Sequence, residues 1–230
     1  MIKLNKMETD WDRYYNRYET TPNDFRTPSD SISALYEAIF KNYEIKELLR
    51  RKSLRILIIG TAGEQSTHEF IQTWKICTDR QPGQDQFTFI DLHMTPLSQP
   101  SDLDSTPHFI QADGRRIPFD NNSFDVIITH HLFDCADKSS ILRILEECRR
   151  VTNYELGINF HCVKDTMTHL GEIWGNSVLR FIKWLKYGIP FYYRTNHRYE
   201  EFFELCNLEL IFKTYDEKCY SVLFLVQPNQ

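Results

Sequence analysis

The residues best suited to chemistry in this chain stand where apolar runs stop. The run Leu54, Ile56, Leu57, Ile58 and Ile59 ends at Gly60, and Glu64 and Gln65 then open a helix-compatible stretch. A glycine turn between a buried strand and a helix lets backbone N–H groups approach a polar ligand closely. It predicts a nucleotide-like cofactor at the strand tip, and an ordinary strand-to-helix turn fits the same residues equally well. Two more apolar runs end on acids, Phe87–Ile90 at Asp91 and Phe109–Gln111 at Ala112 and Asp113. The run Phe124–Thr129 is followed by His130 and His131, whose imidazoles can take up a proton near neutral pH. His161, just past a fifth run over Glu155–Phe160, is a further candidate base, and packing or ligand contact is the alternative for each histidine. Asp134 and Asp137 show no metal-ligand spacing with these histidines, so both are expected to cap the following helix and no metal is expected.

The elements that must hold these residues alternate regularly. Spacings of three and four put Trp11, Tyr14 or Tyr15, and Tyr18 on one face of a first helix over Met7–Tyr18. Prolines break it, and a second helix with Ile32, Leu35 and Ile39 inward runs to about Arg51. After the first strand comes a helix with Phe70, Ile71 and Trp74 inward. Thr95–Pro107 carries three prolines and reads as a loop where a crossover helix would be expected. Lys138–Arg150 is helical, with Ile141, Leu145 and Cys148 on one face. Asp165–Gly188 is a long helical region, Arg198–Cys206 a last helix, and Leu208–Tyr215 with Tyr220–Val226 an antiparallel hairpin. This alternation predicts an α/β fold with a doubly wound, mainly parallel sheet. The terminal hairpin argues against a nicotinamide dehydrogenase, whose Rossmann domains generally lack it.

Composition narrows the partners. At 230 residues a single domain is expected, and a net charge of -5 gives no general attraction to nucleic acid or anionic membranes. The six cysteines form no CxxC pair or zinc spacing, which fits reduced thiols in a cytoplasmic protein. Met1–Asp10 does not read as a secretory signal, and no apolar run is long enough to span a bilayer. A small-molecule substrate is expected, with neither nucleic acid nor membrane as partner. Nothing in the residues speaks to oligomeric state.

By Thr129 the chain resembles a class I S-adenosylmethionine-dependent methyltransferase of the small-molecule type. RILIIGTAGEQ stands where that family has its glycine-rich first motif, and FTFIDLH ends the second strand on an acid. FIQADGRRIPFDNNSFDVIITHHL carries the strand, acid, "PF", polar turn and "SFD" strand at the family's spacing. The resemblance covers Leu54–Arg150 well and the terminal hairpin loosely. It implies a seven-stranded sheet in one domain: a helical cap over residues 1–53, a cofactor-binding core over 54–162, a helical lid over 163–197, and a final helix and hairpin over 198–230. It also implies S-adenosylmethionine as cofactor. Gly60, Thr61, Ala62, Gly63 and Glu64 would lie at its methionine portion, Asp91 at the ribose hydroxyls, and Leu92, Asp113, Gly114 and Ile117 at the adenine. Thr129 to Phe133 would face the sulfonium and the acceptor.

Methyl transfer is an in-line displacement, so the protein mainly aligns two reactants and excludes water. A base matters only where the acceptor loses a proton, and His130 and His131 are the candidates. Trp11, Tyr14, Tyr15, Tyr18, Trp174, Trp184, Tyr187, Phe191, Tyr192 and Tyr193 lie in the two segments such families use as a lid. With Phe133, they suit a small apolar or aromatic acceptor. The chain departs from the pattern at three points. The places of three alternating glycines hold Gly60, Ala62 and Glu64; Ile58 replaces an acid; and Thr152–Tyr154 replaces "KPGG". These changes motivate the alternatives of a non-methylating step such as cyclisation, or a binding protein on the same fold.

Overall fold

The computed structural model describes residues 43–49, 53–60, 64–79, 81, 83–92, 107–130, 132–153, 155, 157–164, 178, 181, 191–216 and 221–229. Among them, seven strands form one sheet in the order β3-β2-β1-β4-β5-β7-β6. These are β1 (Arg55–Ile59), β2 (Gln86–Asp91), β3 (His108–Gln111), β4 (Val126–His130), β5 (Ile158–Lys164), β6 (Leu208–Asp216) and β7 (Ser221–Pro228). The first five are parallel to one another, and β7 lies antiparallel between β5 and β6. The described helices are α1 (Tyr43–Leu48), α2 (Glu64–Thr78), α3 (Lys138–Val151) and α4 (Asn196–Leu205). A three-residue 3-10 turn, Phe133–Cys135, joins β4 to α3.

The continuous apolar run of β1 follows from burial on both faces. Ile56 and Ile58 point into a core with Phe70, Ile71 and Trp74 of α2, while Leu57 and Ile59 point into one with Ile141, Leu145 and Cys148 of α3. Both helical stripes read from the sequence therefore pack inward. Asp85 ties α2 to the start of β1, accepting from Trp74 Nε1 at 3.0 Å and from the Leu54 N–H at 3.1 Å. α2 stops at Asp79, which has a left-handed φ of 55°. α3 begins on Asp137, whose Oδ1 accepts from the Ser140 N–H at 2.7 Å.

The fifth strand differs from its expected position. It starts at Ile158 and runs past Phe160 to Lys164, because Gly157 holds a left-handed φ of 58° and turns the chain just before it. His161 is thus inside the strand, paired with Thr129, rather than beyond its end. His130 likewise closes β4, opposite Cys162. α1 falls within the expected second helix, whereas the first helix and Thr95–Thr106 lie outside the described residues.

Candidate functional site

β1 is where the chain order of the sheet reverses: the sheet grows through β2 and β3 on one side and resumes with β4 on the other. Open α/β sheets hold ligands in the crevice outside the C-terminal strand ends at such a switch point. Ile59 pairs with both Ile90 and Thr129, and Asp91 with Gln111. This register brings Gly60, Asp91, Ala112–Asp113 and His130 to one edge. The turn at Gly60 is held by its own N–H, which donates to Ile90 O at 2.9 Å. Its φ is 81°, and a Cβ there would meet Leu132 Cδ1 at 3.3 Å. The left-handed backbone favours glycine, and a side chain would also need Leu132 to give by a few tenths of an ångström. Glu64 is the first residue of α2.

Asp91 is 8% exposed at the tip of β2, and its carbonyl accepts from Ala112 N at 2.9 Å. Leu92 is half-buried, and its carbonyl accepts from Gln111 Nε2 at 2.9 Å. Asp113 is in contact with a residue the sequence reading did not single out. Arg115 donates from its backbone N–H to Oδ1 at 2.9 Å, from Nε to both oxygens, and from Nη2 to Oδ2 at 2.6 Å. The pairing with Asp113 raises the Arg115 pKa above its ordinary value, outweighing burial. Gly114 serves packing: a Cβ there would stand 3.0 Å from Ile59 Cγ2.

Two α3 residues fix the loop carrying Asp113 and Ile117. Glu147 Oε2 accepts from the Ile117 N–H at 2.7 Å. Arg150 donates to Ile117 O at 2.9 Å, to Phe119 O at 2.7 Å, and to Glu147 itself. The Arg150 guanidinium holds the Glu147 carboxyl below its usual range against the opposing effect of burial, with the Ile117 N–H assisting. The i,i+3 spacing of opposite charges was visible in the sequence; the carbonyls they reach were not.

On the β4 side, three expectations change. Thr129 is fully buried, and its hydroxyl lies 2.9 Å from His161 Nδ1, so its side chain is turned to its neighbour in the sheet. Phe133, expected at the acceptor, is fully buried and backs the site with its ring 5.2 Å from that of His161. His161 also stacks on Phe203, and burial lowers its pKa to about 3. Without access, and neutral at physiological pH, it is not a solution-exchanging base. Its Nε2 is buried with no hydrogen-bond partner.

Asp137 caps α3 as expected, but Asp134 does not. It is buried in the 3-10 turn, where Oδ1 accepts from Tyr199 Oη at 3.2 Å. Burial, and then the Asp134 charge, push the Tyr199 hydroxyl well above the usual tyrosine range, so it remains a donor. Tyr192 is half-buried beside this turn and gives its N–H to Asp134 O at 2.7 Å. Its ring lies 4.7 Å from the guanidinium of Arg194. His130 is half-buried at the mouth of β4, its ring edge-on to Phe70 at 5.4 Å. Thr61, Ala62, Gly63, His131, Trp11, Tyr14, Tyr15, Tyr18 and Trp174 lie outside the described residues. Among the described residues, no group of three or more His, Cys, Asp or Glu is set to hold a metal ion, and no helix is long and apolar enough to cross a membrane.

Comparison with known proteins agrees with this geometry. Residues 73–155 match the family model described as a methyltransferase domain. No curated protein matches the chain. A solved structure of 1,6-didemethyltoxoflavin-N1-methyltransferase from Burkholderia thailandensis, with 1,6-didemethyltoxoflavin and S-adenosylhomocysteine bound, is similar at a TM-score of 0.64 and 10% identity. That match covers 99% of this chain and 89% of that one. An S-adenosylmethionine-dependent methyltransferase from Methanosarcina mazei is similar at 0.57 and 15% identity, covering 81% and 97%. The cyclase SpnF is similar at 0.59 and 11% identity, covering 84% and 80%. At these identities the likeness is one of fold. Strand order and terminal hairpin are those of the fold of class I S-adenosylmethionine-dependent methyltransferases, and the match to a methyltransferase domain falls on residues 73–155 of that fold. S-adenosylmethionine is the cofactor of that class.

Proposed function

We propose that this protein transfers a methyl group from S-adenosylmethionine to a small apolar or aromatic organic acceptor. The observation that carries the reading is the convergence of Gly60, Asp91, Asp113 and His130 on the switch-point edge of the sheet. The residues fit the cofactor chemically. A left-handed glycine turn at the tip of β1 suits a close-lying amino-acid moiety, with neighbouring N–H groups donating to its carboxylate. The Asp91 carboxylate offers acceptors for both ribose hydroxyls. Leu92 and Ile117 suit the two faces of an adenine ring, with Asp113 at its edge. When bound, the cofactor supplies a methyl carbon already activated by sulfonium. The protein's own part is then alignment and exclusion of water. Where the acceptor must lose a proton, His130 Nδ1 or Nε2 would accept it, with His131 the neighbouring alternative. Tyr192 beside the turn after β4, together with the aromatic content of the sequence over 11–18 and 174–193, favours a flat or apolar acceptor.

A second reading, a non-methylating step such as cyclisation, draws on Ile58 and Glu64 in place of family residues and on the likeness to SpnF. Product mass separates the two, because methylation adds a methyl group. The first test is calorimetric titration with S-adenosylmethionine and S-adenosylhomocysteine, with Asp91→Ala as control. Micromolar binding by the wild type, weakened at least about a hundredfold by the loss of two hydrogen bonds to a charged acceptor, supports methyl transfer. Absence of binding by the folded wild type overturns it.

A further inference from the structure

Arg194 is 6% exposed, yet its donors go to backbone carbonyls: Nη1 to Phe133 O at 2.9 Å and Nη2 to Ala136 O at 2.7 Å. Those carbonyls bracket the 3-10 turn that leaves the tip of β4. Its guanidinium lies over the Tyr192 ring at 4.7 Å and near those of Tyr199 and Phe202 of α4 at 6.0 and 5.9 Å. The Tyr192 N–H and the Tyr199 hydroxyl hold Asp134 of the same turn. Burying a cation costs several kcal/mol before its bonds are counted, so an apolar residue would serve simple packing better. A planar fork that reaches two carbonyls at once does what neither an apolar residue nor lysine can do.

We propose that Arg194 is a positioning residue for the acceptor side of the site. It fixes the turn after β4, and with it Tyr192, as a unit separate from the cofactor side. The cofactor side has its own clamp, Glu147 and Arg150 on the Asp113–Phe119 loop. Binding of cofactor and alignment of acceptor therefore respond to different residues. This inference rests on the methyl-transfer reading for its meaning, but its mechanical content stands apart from that reading.

The test uses the full chain as wild type, Arg194→Lys and Arg194→Met, with amide exchange followed residue by residue. Loss of a charge-assisted bond predicts roughly tenfold to a hundredfold faster exchange at Cys135, Ala136 and Tyr192, with the amide chemical shifts of Ile58 and Ile128 in the central strands unchanged. Lysine, with its single point of attachment, restores protection only in part. The Tyr192 ring signals broaden or split in the 1H–13C spectrum of both variants, while S-adenosylhomocysteine affinity stays within about threefold of wild type. In Glu147→Gln the pattern reverses, with weaker cofactor binding and an undisturbed Tyr192 amide. Chemical-shift changes throughout the sheet, no change at the turn, loss of cofactor affinity in step with it, or failure of both variants to fold each overturns the proposal. If the wild type binds no S-adenosylhomocysteine while the exchange pattern holds, the methyl-transfer reading fails and the clamp remains.

Discussion

Replacing His161 should make the protein less sensitive to acid. The imidazole is fully buried between Phe133 and Phe203, and burial lowers its pKa from 6.5 to about 3. Below pH 6.5 the unfolded chain takes up a proton that the folded protein refuses. Stability from this residue is therefore complete above that pH and falls as the medium is acidified, until the folded form also protonates near pH 3. The full loss is about 5 kcal/mol, of which about 2 kcal/mol falls between pH 7 and pH 5. That second figure is nearly independent of the folded-state value so long as it lies below about 4, because only the unfolded chain titrates in the window.

His161→Phe and His161→Gln remove the titration. At pH 7 two effects oppose each other: the Thr129 hydroxyl loses its partner, about 1 kcal/mol, and the unpartnered Nε2 disappears, a gain of similar size. Urea unfolding followed by tryptophan fluorescence at pH 7, 6 and 5 measures the difference directly. Wild type and variants should be comparable at pH 7, and the variants ahead by about 2 kcal/mol at pH 5. Other groups titrate equally in all three proteins and cancel. Parallel stability profiles would show that His161 is not buried as a neutral ring, and the argument against it as a solution-exchanging base would fall with it.

Two further substitutions probe the loop and the turn. Glu147→Gln should cost about 1 kcal/mol at pH 7 through the weakened Arg150 pair. Because the folded Glu147 carboxyl titrates below its usual range, that gap should close as pH falls through the folded value, read by the same unfolding assay. Gly114→Ala should lower stability by about 1–3 kcal/mol, since its Cβ would stand 3.0 Å from Ile59 Cγ2, and thermal unfolding measures it.

The strand tips were legible because a buried parallel strand needs an unbroken apolar run, and such a run stops visibly at Gly60, Asp91 and Asp113. The helix stripes of α2 and α3 were legible by period alone. The start of β5 was not, because its register depends on a left-handed Gly157 that looks from sequence like any residue within an apolar stretch. Asp134 and Asp137 look alike in sequence, yet only the second meets a free helix N–H; the first is claimed by Tyr199, 65 positions away in the chain. Arg115, Arg150 and Arg194 reach a carboxylate or backbone carbonyls, and Glu147 accepts from a backbone N–H 30 positions away; one chain of letters does not say which groups a long charged side chain will reach.

Ile58 carries the last consequence. Its place in the family pattern is often acidic, where the carboxylate partners the cofactor's amino group. Here the side chain points to the face of β1 that packs on α2, in one core with Phe70, Ile71 and Trp74. An acid at this position would lie against that apolar cluster, so core packing has replaced a polar contact. Affinity should then reside mainly in the nucleoside half, held by Asp91 and the Asp113 loop. Methylthioadenosine, which lacks the amino-acid portion, forfeits the carboxylate contacts at the Gly60 turn but no amino-group bond, so it should bind about tenfold to a hundredfold more weakly than S-adenosylhomocysteine, where a retained amino-group bond would carry the gap above a hundredfold. Calorimetric titration with both ligands decides it. A gap above a hundredfold would mean that the amino-acid portion is gripped by residues other than the one Ile58 replaces.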